Sequence, residues 1–392
     1  MLNEITPVLT KMKASEYSLK ETIKQINSIF TSHYQDNNNI LIIQLNGIGD
    51  SILMTSLLPN FKDYNITVIC NELATPLIKL DPNVEEVIPF PNTIKRFESV
   101  LEFCSKYVWH KSYTKAIATN YVNNPIAHFL CYCSGAKERI GYKCNVEKQY
   151  CKDITYKEHQ YDPAWDNLLL TDIVINPYEI MSEKDRKLYL LKHLAIPIIN
   201  TKTHLYLPDV EKKNQIVLGL SASEKVKEYP LNKWGKVIKK INIHNMDHNS
   251  NSSVQEQQFL LLGTNIEDSN YLVRKFNNVT NYIDKLDLVE SAKIIKESTC
   301  YIGVDSCLAH IAIALNIPAI VLLCESEDKE EDHPGMFSSY TQFYKRHHLC
   351  IRPKHSLKPC SDKTIFQGCE YNVPHCITQI DPSTIVDKYL NL

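Results

Sequence analysis

Apolar runs of four to seven residues recur along this chain, and most are followed by a polar turn and then by a segment with helical spacing. Ile40-Leu41-Ile42-Ile43-Gln44-Leu45 is the first: a nearly continuous apolar run that suits a strand buried on both faces, followed by Asn46-Gly47-Ile48-Gly49-Asp50 and a helix over 51–58. Strands over 65–70, 84–90 and 116–119 alternate with helices over 74–80 and 101–113, the rhythm of a doubly wound α/β domain. Residues 194–209, with Pro197 and Pro208, separate this region from a second one that opens on a strand over 216–220 and continues with a strand and turn over 259–264. Residues 298–324 form a βαβ unit: strand 301–304, the turn Asp305-Ser306-Cys307, helix 308–315 and strand 319–323. Ahead of the first strand, Ser18-Leu19-Lys20-Glu21 has capping-box spacing, and Leu19, Ile23, Ile26 and Phe30 recur at helical spacing. The pattern predicts an N-terminal helical extension over 1–38, one α/β domain over 39–200 and a second over 201–392. The second carries a polar insertion at 244–258, read as a mobile loop, and a closing helix at 383–390.

Composition narrows the function classes. With 43 Lys and Arg against 45 Asp and Glu, the chain carries a net charge of −2, and nothing global points to nucleic acid. No apolar run approaches the ~20 residues that span a bilayer, and the N-terminus lacks a signal-peptide core, so a cytoplasmic protein is expected. The polar face of the N-terminal helix is not strongly basic, which favours packing on the body over a membrane-surface contact. Of the 13 cysteines, Cys70, Cys104, Cys131, Cys133, Cys300 and Cys324 lie in or beside apolar stretches and read as small reduced hydrophobes.

Candidate chemistry lies where strands end. Gly47 and Gly49 let the backbone turn tightly and approach a ligand, although Ile52 rules out a dinucleotide fingerprint, and Asp50 reads from the residues alone as a helix N-cap. Asp305, Ser306 and Cys307 stand at the mouth of a helix, where unpaired amides and the helix dipole suit a phosphate, and His310 follows one turn in. Ser221, Ser223 and Lys227 follow the 216–220 strand, and hydroxyls with a lysine there suit a diphosphate. Arg139 has two readings, a clamp on an acidic acceptor group or a structural ion pair at a turn. Glu267 is expected to begin a helix. Cys350, Cys360, Cys369 and Cys376, with His347, His348, His355 and His375 among them, are the one constellation that could make a tetrahedral metal site, although it lacks tight C-x2-C pairs.

Five of these segments, taken in order, resemble glycosyltransferase family nine, the bacterial ADP-heptose:lipopolysaccharide heptosyltransferases. They are ILIIQLNGIGDSILMTSLLP, Ser134 to Tyr142, Lys227 to Trp234, the segment Asp284 to Ser298, and Gly303-Val304-Asp305-Ser306-Cys307-Leu308-Ala309-His310. Cys307 departs from the family pattern, which has glycine there, and Cys324-Glu325 replaces an aromatic-glycine pair. The resemblance implies an α/β, GT-B arrangement of two Rossmann-like domains facing across a cleft, with a Cys-containing C-terminal loop. It implies an inverting enzyme that moves heptose from an ADP-heptose-type donor to a lipopolysaccharide-core, other glycan, lipid-linked or protein hydroxyl, with Asp50 as catalytic base and Gly49 and Arg139 on the acceptor side. It places Glu267 near the nucleotide ribose, beside the donor contacts from Ser221, Ser223, Lys227, Asp305, Ser306, Cys307 and His310. No cofactor is required for catalysis, and a related autotransporter branch that binds iron through cysteines points to a structural zinc or iron at the C-terminal cysteines. A peripheral contact with the inner membrane would fit such an acceptor. A nucleotide-sugar epimerase and a non-catalytic sugar-nucleotide-binding scaffold are the alternatives.

Overall fold

The computed structural model describes residues 2–13, 19–33, 37–120, 125–143, 155–156, 159–160, 165–175, 182–248, 256–327, 343–344, 349–357 and 374–392. The chain divides into two units, Met1–Pro177 with Lys184–Thr203, and Tyr178–Glu183 with His204–Leu392.

The first unit runs α1 (Leu2–Lys13), α2 (Leu19–His33), β1 (Asn39–Gln44), α3 (Ile48–Met54), β2 (Asn65–Asn71), α4 (Thr75–Ile78), β3 (Val84–Phe90), α5 (Phe97–Tyr107), β4 (Lys115–Ala118), α6 (Pro125–Cys133) and β5 (Glu138–Tyr142). A short antiparallel pair, β6 (Thr155–Tyr156) and β7 (His159–Gln160), precedes α7 (Asp166–Leu169), β8 (Asp172–Val174) and α8 (Glu183–His193). Its six-stranded sheet has the order β3-β2-β1-β4-β5-β8 with every pair parallel. Alternate residues of β1 feed two cores, as the period of a strand requires. Leu41 and Ile43 pack with α2, α5 and α6, while Ile40 and Ile42 pack with Met54, Leu57 and the leucines of α8.

The apolar face of α2 is consumed in the first of these cores. Ile23, Ile26 and Phe30 are buried, Phe30 meets Trp109 and Tyr132 edge-on, and the Tyr132 hydroxyl donates to the Ile23 carbonyl at 2.5 Å. Gly135, at φ +71°, allows this approach, because a Cβ there would stand 3.1 Å from the Phe30 ring. Among the described side chains of this helix, Ile23, Ile26 and Phe30 are spent on packing against the body. Ser18 of the capping box lies outside the described residues. Among the described residues no helix is long and apolar enough to cross a membrane.

The second unit repeats the plan with β9 (Gln215–Gly219), α9 (Leu231–His248), β10 (Gln258–Leu262), α10 (Tyr271–Lys275), β11 (Val279–Asn281), α11 (Leu288–Glu297), β12 (Cys300–Val304), α12 (Cys307–Ala314), β13 (Ala319–Leu322), β14 (Cys350–Ile351) and α13 (Pro382–Leu390). Its sheet, β11-β10-β9-β12-β13-β14, is again all parallel. The register sets Gly219 opposite Gly303, and the ring of Tyr301 lies across both; a Cβ on either glycine would fall 2.0 or 2.2 Å from its hydroxyl. In each unit the strand order reverses once, between β1 and β4 and between β9 and β12. In open α/β sheets ligands bind beyond the carboxyl ends of the strands at such a point.

Several helix limits differ from the expected ones. The helix expected over 101–113 is α5, which starts at Phe97 and ends at Tyr107, because Trp109 and Tyr113 leave the helical path to bury their rings. α9 continues to His248, through the first part of the expected loop, and residues 249–255 lie outside the described residues.

Candidate active site

In the first unit the residues at the reversal point come from the ends of β1 and β4 and from α8. Gly47 holds the N-cap position of α3 without a side-chain bond, so Asp50 is not the cap that the residues alone suggested; it is the third residue of the helix. Asp50 is nearly buried, and its Oδ1 lies 3.8 Å from Nζ of Lys187, a fully buried lysine of α8. Lys187 donates to Gln44 Oε1 at 2.9 Å and to the Thr119 carbonyl at 3.4 Å. The Thr119 hydroxyl reaches the same Gln44 oxygen at 2.6 Å. Asn120 ties the strand ends together, accepting from the Leu45 amide at 3.2 Å and donating to Asn46 Oδ1 at 2.8 Å. Gly49 is half-buried beside Asp50. Arg139 gives its Nε to the Leu169 carbonyl at 2.8 Å and an Nη to the Ala136 carbonyl at 2.7 Å, and its guanidinium lies over the Tyr132 ring.

In the second unit Lys227 closes a short 3-10 turn after β9 and donates to Asp305 Oδ2 at 3.1 Å. The other oxygen, Oδ1, accepts from the Tyr344 hydroxyl at 3.1 Å, and the same hydroxyl lies 3.1 Å from His310 Nε2. A carboxylate only accepts, so the phenol proton points at Asp305 and the imidazole Nε2–H donates to the phenol oxygen. Burial, aided by the Lys227 charge and opposed by Asp305, lowers the His310 pKa to about 4, which keeps the ring neutral at physiological pH. For Lys227 burial acts downward, yet Asp305 and Glu224 together raise its pKa, and the ammonium is retained. The His310 ring also lies 5.9 Å from that of Phe343.

A prediction follows for acid stability. An unfolded histidine titrates near 6.5 and the folded ring near 4, so the unfolded chain binds the proton first as the pH falls. Stability is complete above 6.5, declines as pH drops toward 4, and levels off below, a loss of order 3 kcal/mol at most. Thermal melts between these limits should show the decline, and His310→Gln should flatten it. An equally steep decline in that variant would assign the effect to other groups.

Ser306 is the extended N-cap residue of α12, and its hydroxyl has no hydrogen-bond partner among the described residues. Cys307 opens the helix where the family pattern has glycine, and burial pushes its thiol up to about 11, so it presents a neutral group beside the helix amides. Ser221 accepts from the Thr264 amide at 2.8 Å, an approach that needs Gly263 at φ +143°, since a Cβ there would fall 2.5 Å from the hydroxyl. Ser223 is exposed. Glu267 does not begin a helix: it sits exposed in the turn at 267–270, and α10 starts at Tyr271. Lys227, Asp305 and His310 thus form one bonded chain next to Ser306 and Cys307, whereas Ser221 and Ser223 end the neighbouring strand and Glu267 lies further along.

Tyr344 and Lys187 were not expected from the sequence. Lys187 had a signal, since Leu190, Leu191 and Leu194 follow it at i+3, i+4 and i+7 and put it on the buried face of α8. Tyr344 had none, lying 34 residues from His310. In the tail, Cys350 is half-buried and Cys376 is buried, accepting the Leu357 amide at 3.3 Å. Cys360, Cys369, His347 and His348 lie outside the described residues, among which no cluster of His, Cys, Asp and Glu fits a metal.

No curated protein sequence matches the chain. The fold is shared with a family 9 glycosyltransferase from Veillonella parvula DSM 2008, at 14% identity and TM-score 0.63 over 91% of this chain and 97% of that one. E. coli heptosyltransferase WaaC with ADP aligns at 14% identity and TM-score 0.61, covering 90% of this chain and 99% of that one. E. coli ADP-heptose LPS heptosyltransferase II aligns at 16% and 0.58, covering 90% and 98%. Residues 128–334, more than half of the chain, match the profile of glycosyltransferase family 9 (heptosyltransferase), and with the paired parallel sheets and their reversal-point sites the chain belongs to that family of glycosyltransferases.

Proposed function

We propose that the protein transfers heptose from an ADP-heptose-type donor to a hydroxyl of a glycan, lipid-linked or protein acceptor, with inversion at the anomeric carbon. The observation that carries the reading is the placement of groups of opposite kind at equivalent points of the two sheets: an acid, Asp50, beyond β1, and a retained ammonium, Lys227, beyond β9. In this reading Lys227 and the N-terminal amides of α12 at Ser306 and Cys307 hold the diphosphate and stabilise the departing ADP. Asp305 would repel that diphosphate if it faced it unpaired; bonded to Lys227 and Tyr344, it serves to aim the ammonium. His310 and Tyr344 support Asp305 in turn. Ser221, Ser223 and Glu267 remain donor-side positions and Gly49 and Arg139 acceptor-side ones. Asp50 accepts the proton of the acceptor hydroxyl as the C–O bond to the anomeric carbon forms and the bond to the diphosphate breaks. The neutral thiol of Cys307 adds no negative charge beside the phosphates, so this departure from the family pattern is compatible with donor binding. That WaaC, whose fold this chain shares, holds ADP supports the choice of nucleotide.

Labelled ADP-heptose incubated with the protein and with separated envelope glycolipid and protein fractions tests the reading. Label should enter one fraction, with one ADP released for each sugar transferred. Donor breakdown or rearrangement at the same rate without any fraction would overturn transfer in favour of an epimerase-type reaction.

A further inference from the structure

A fully buried lysine needs a reason, because taking an ammonium out of water is costly unless its charge is matched. Lys187 stands where β1 and β4 end, bonded to Gln44 Oε1 at 2.9 Å and to the Thr119 carbonyl at 3.4 Å, with Asp50 Oδ1 at 3.8 Å. The orientation of the Gln44 amide is dictated by its neighbours. Thr119 Oγ and Lys187 Nζ both donate to its oxygen, which leaves Nε2, also buried, with no partner among the described residues. An orphaned buried N–H is a cost that a purely structural cluster would be expected to avoid. Here it is the consequence of using Gln44 to hold the lysine.

We infer that Lys187 is the positioning residue of Asp50. Gln44 takes a 2.9 Å hydrogen bond from its ammonium and the Thr119 carbonyl a longer one of 3.4 Å, and the charge stands 3.8 Å from Asp50 Oδ1, beyond hydrogen-bond distance. At that distance a positive charge attracts the carboxylate and fixes the direction in which it points. The inference rests on the proposed role of Asp50 and adds the group that prepares it. Lys187 itself touches no substrate.

The test is a kinetic cycle on the full-length protein, with ADP-heptose as donor and the accepting fraction from the transfer assay. Lys187→Met should lower kcat about 10–100-fold, the scale of a misplaced catalytic group, and leave the KM for ADP-heptose unchanged. In an Asp50→Asn background the same substitution should have no further effect, because its partner's function is already gone. A loss in that background as large as in the wild type would overturn the inference and make Lys187 a structural residue. Asp50→Asn at the wild-type rate would overturn the role of Asp50 itself, and with it this one. Should Lys187→Met not fold, Gln44→Leu keeps both charges, removes the 2.9 Å anchor, and is expected to show the same dependence on Asp50.

Discussion

Lys227→Ala is expected to weaken ADP binding about 10- to 150-fold, the roughly 1.5–3 kcal/mol of a hydrogen bond to a charged group. The Lys227 side chain is one-quarter exposed, accessible enough to meet a phosphate, and Asp305 holds its ammonium at 3.1 Å. Its removal also leaves Asp305 without the cation that neutralises it, so the carboxylate would then oppose the diphosphate. Lys227→Ala combined with Asp305→Asn should therefore bind ADP better than Lys227→Ala alone. Because its partner Asp305 is only 16% exposed, losing the cation should also lower the melting temperature, and Asp305→Asn in the same chain should restore part of it. Calorimetry with ADP checks the prediction, and an unchanged affinity in Lys227→Ala would remove this lysine from the donor site.

The two sheets were legible because strands of a parallel sheet are buried on both faces and so appear as continuous apolar runs; Ile40 to Ile43 and Tyr301 to Val304 are such runs, and both are central strands. The turns after them could be located for the same reason, since a strand of known direction places its following turn at the carboxyl edge. Local detail was less legible. An acid near a helix start looks like a cap, but Gly47 takes that position and puts Asp50 within the first turn. Glu267 looks like a helix start, yet the chain needs the turn at 267–270 before α10, with Asp268 itself at a positive φ of 49°. Lys187 was hidden because a lysine in a charged helix reads as solvent-facing until its leucine neighbours are counted. The link from Tyr344 to Asp305 and His310 joins segments distant in sequence, with no spacing rule to connect them.

The substitution Asp50→Asn tests the central claim most directly, through the rate of sugar transfer. Asn keeps the size of the side chain, and because Gly47 rather than Asp50 occupies the cap position, the helix itself loses only the interaction of a charge with its dipole, about 0.3–1 kcal/mol; the buried Lys187 loses the acid 3.8 Å away as well, which lowers the melting temperature, so turnover is compared where the variant is folded. The fold and the donor site in the other unit are thus expected to remain, with ADP affinity nearly that of the wild type. What disappears is the group that accepts the proton of the attacking hydroxyl, and positioned general bases contribute about 10²–10⁴-fold. The account predicts a fall in turnover of that size at unchanged ADP affinity. Retention of more than about a tenth of wild-type turnover, less than the smallest loss expected for a general base, would contradict it.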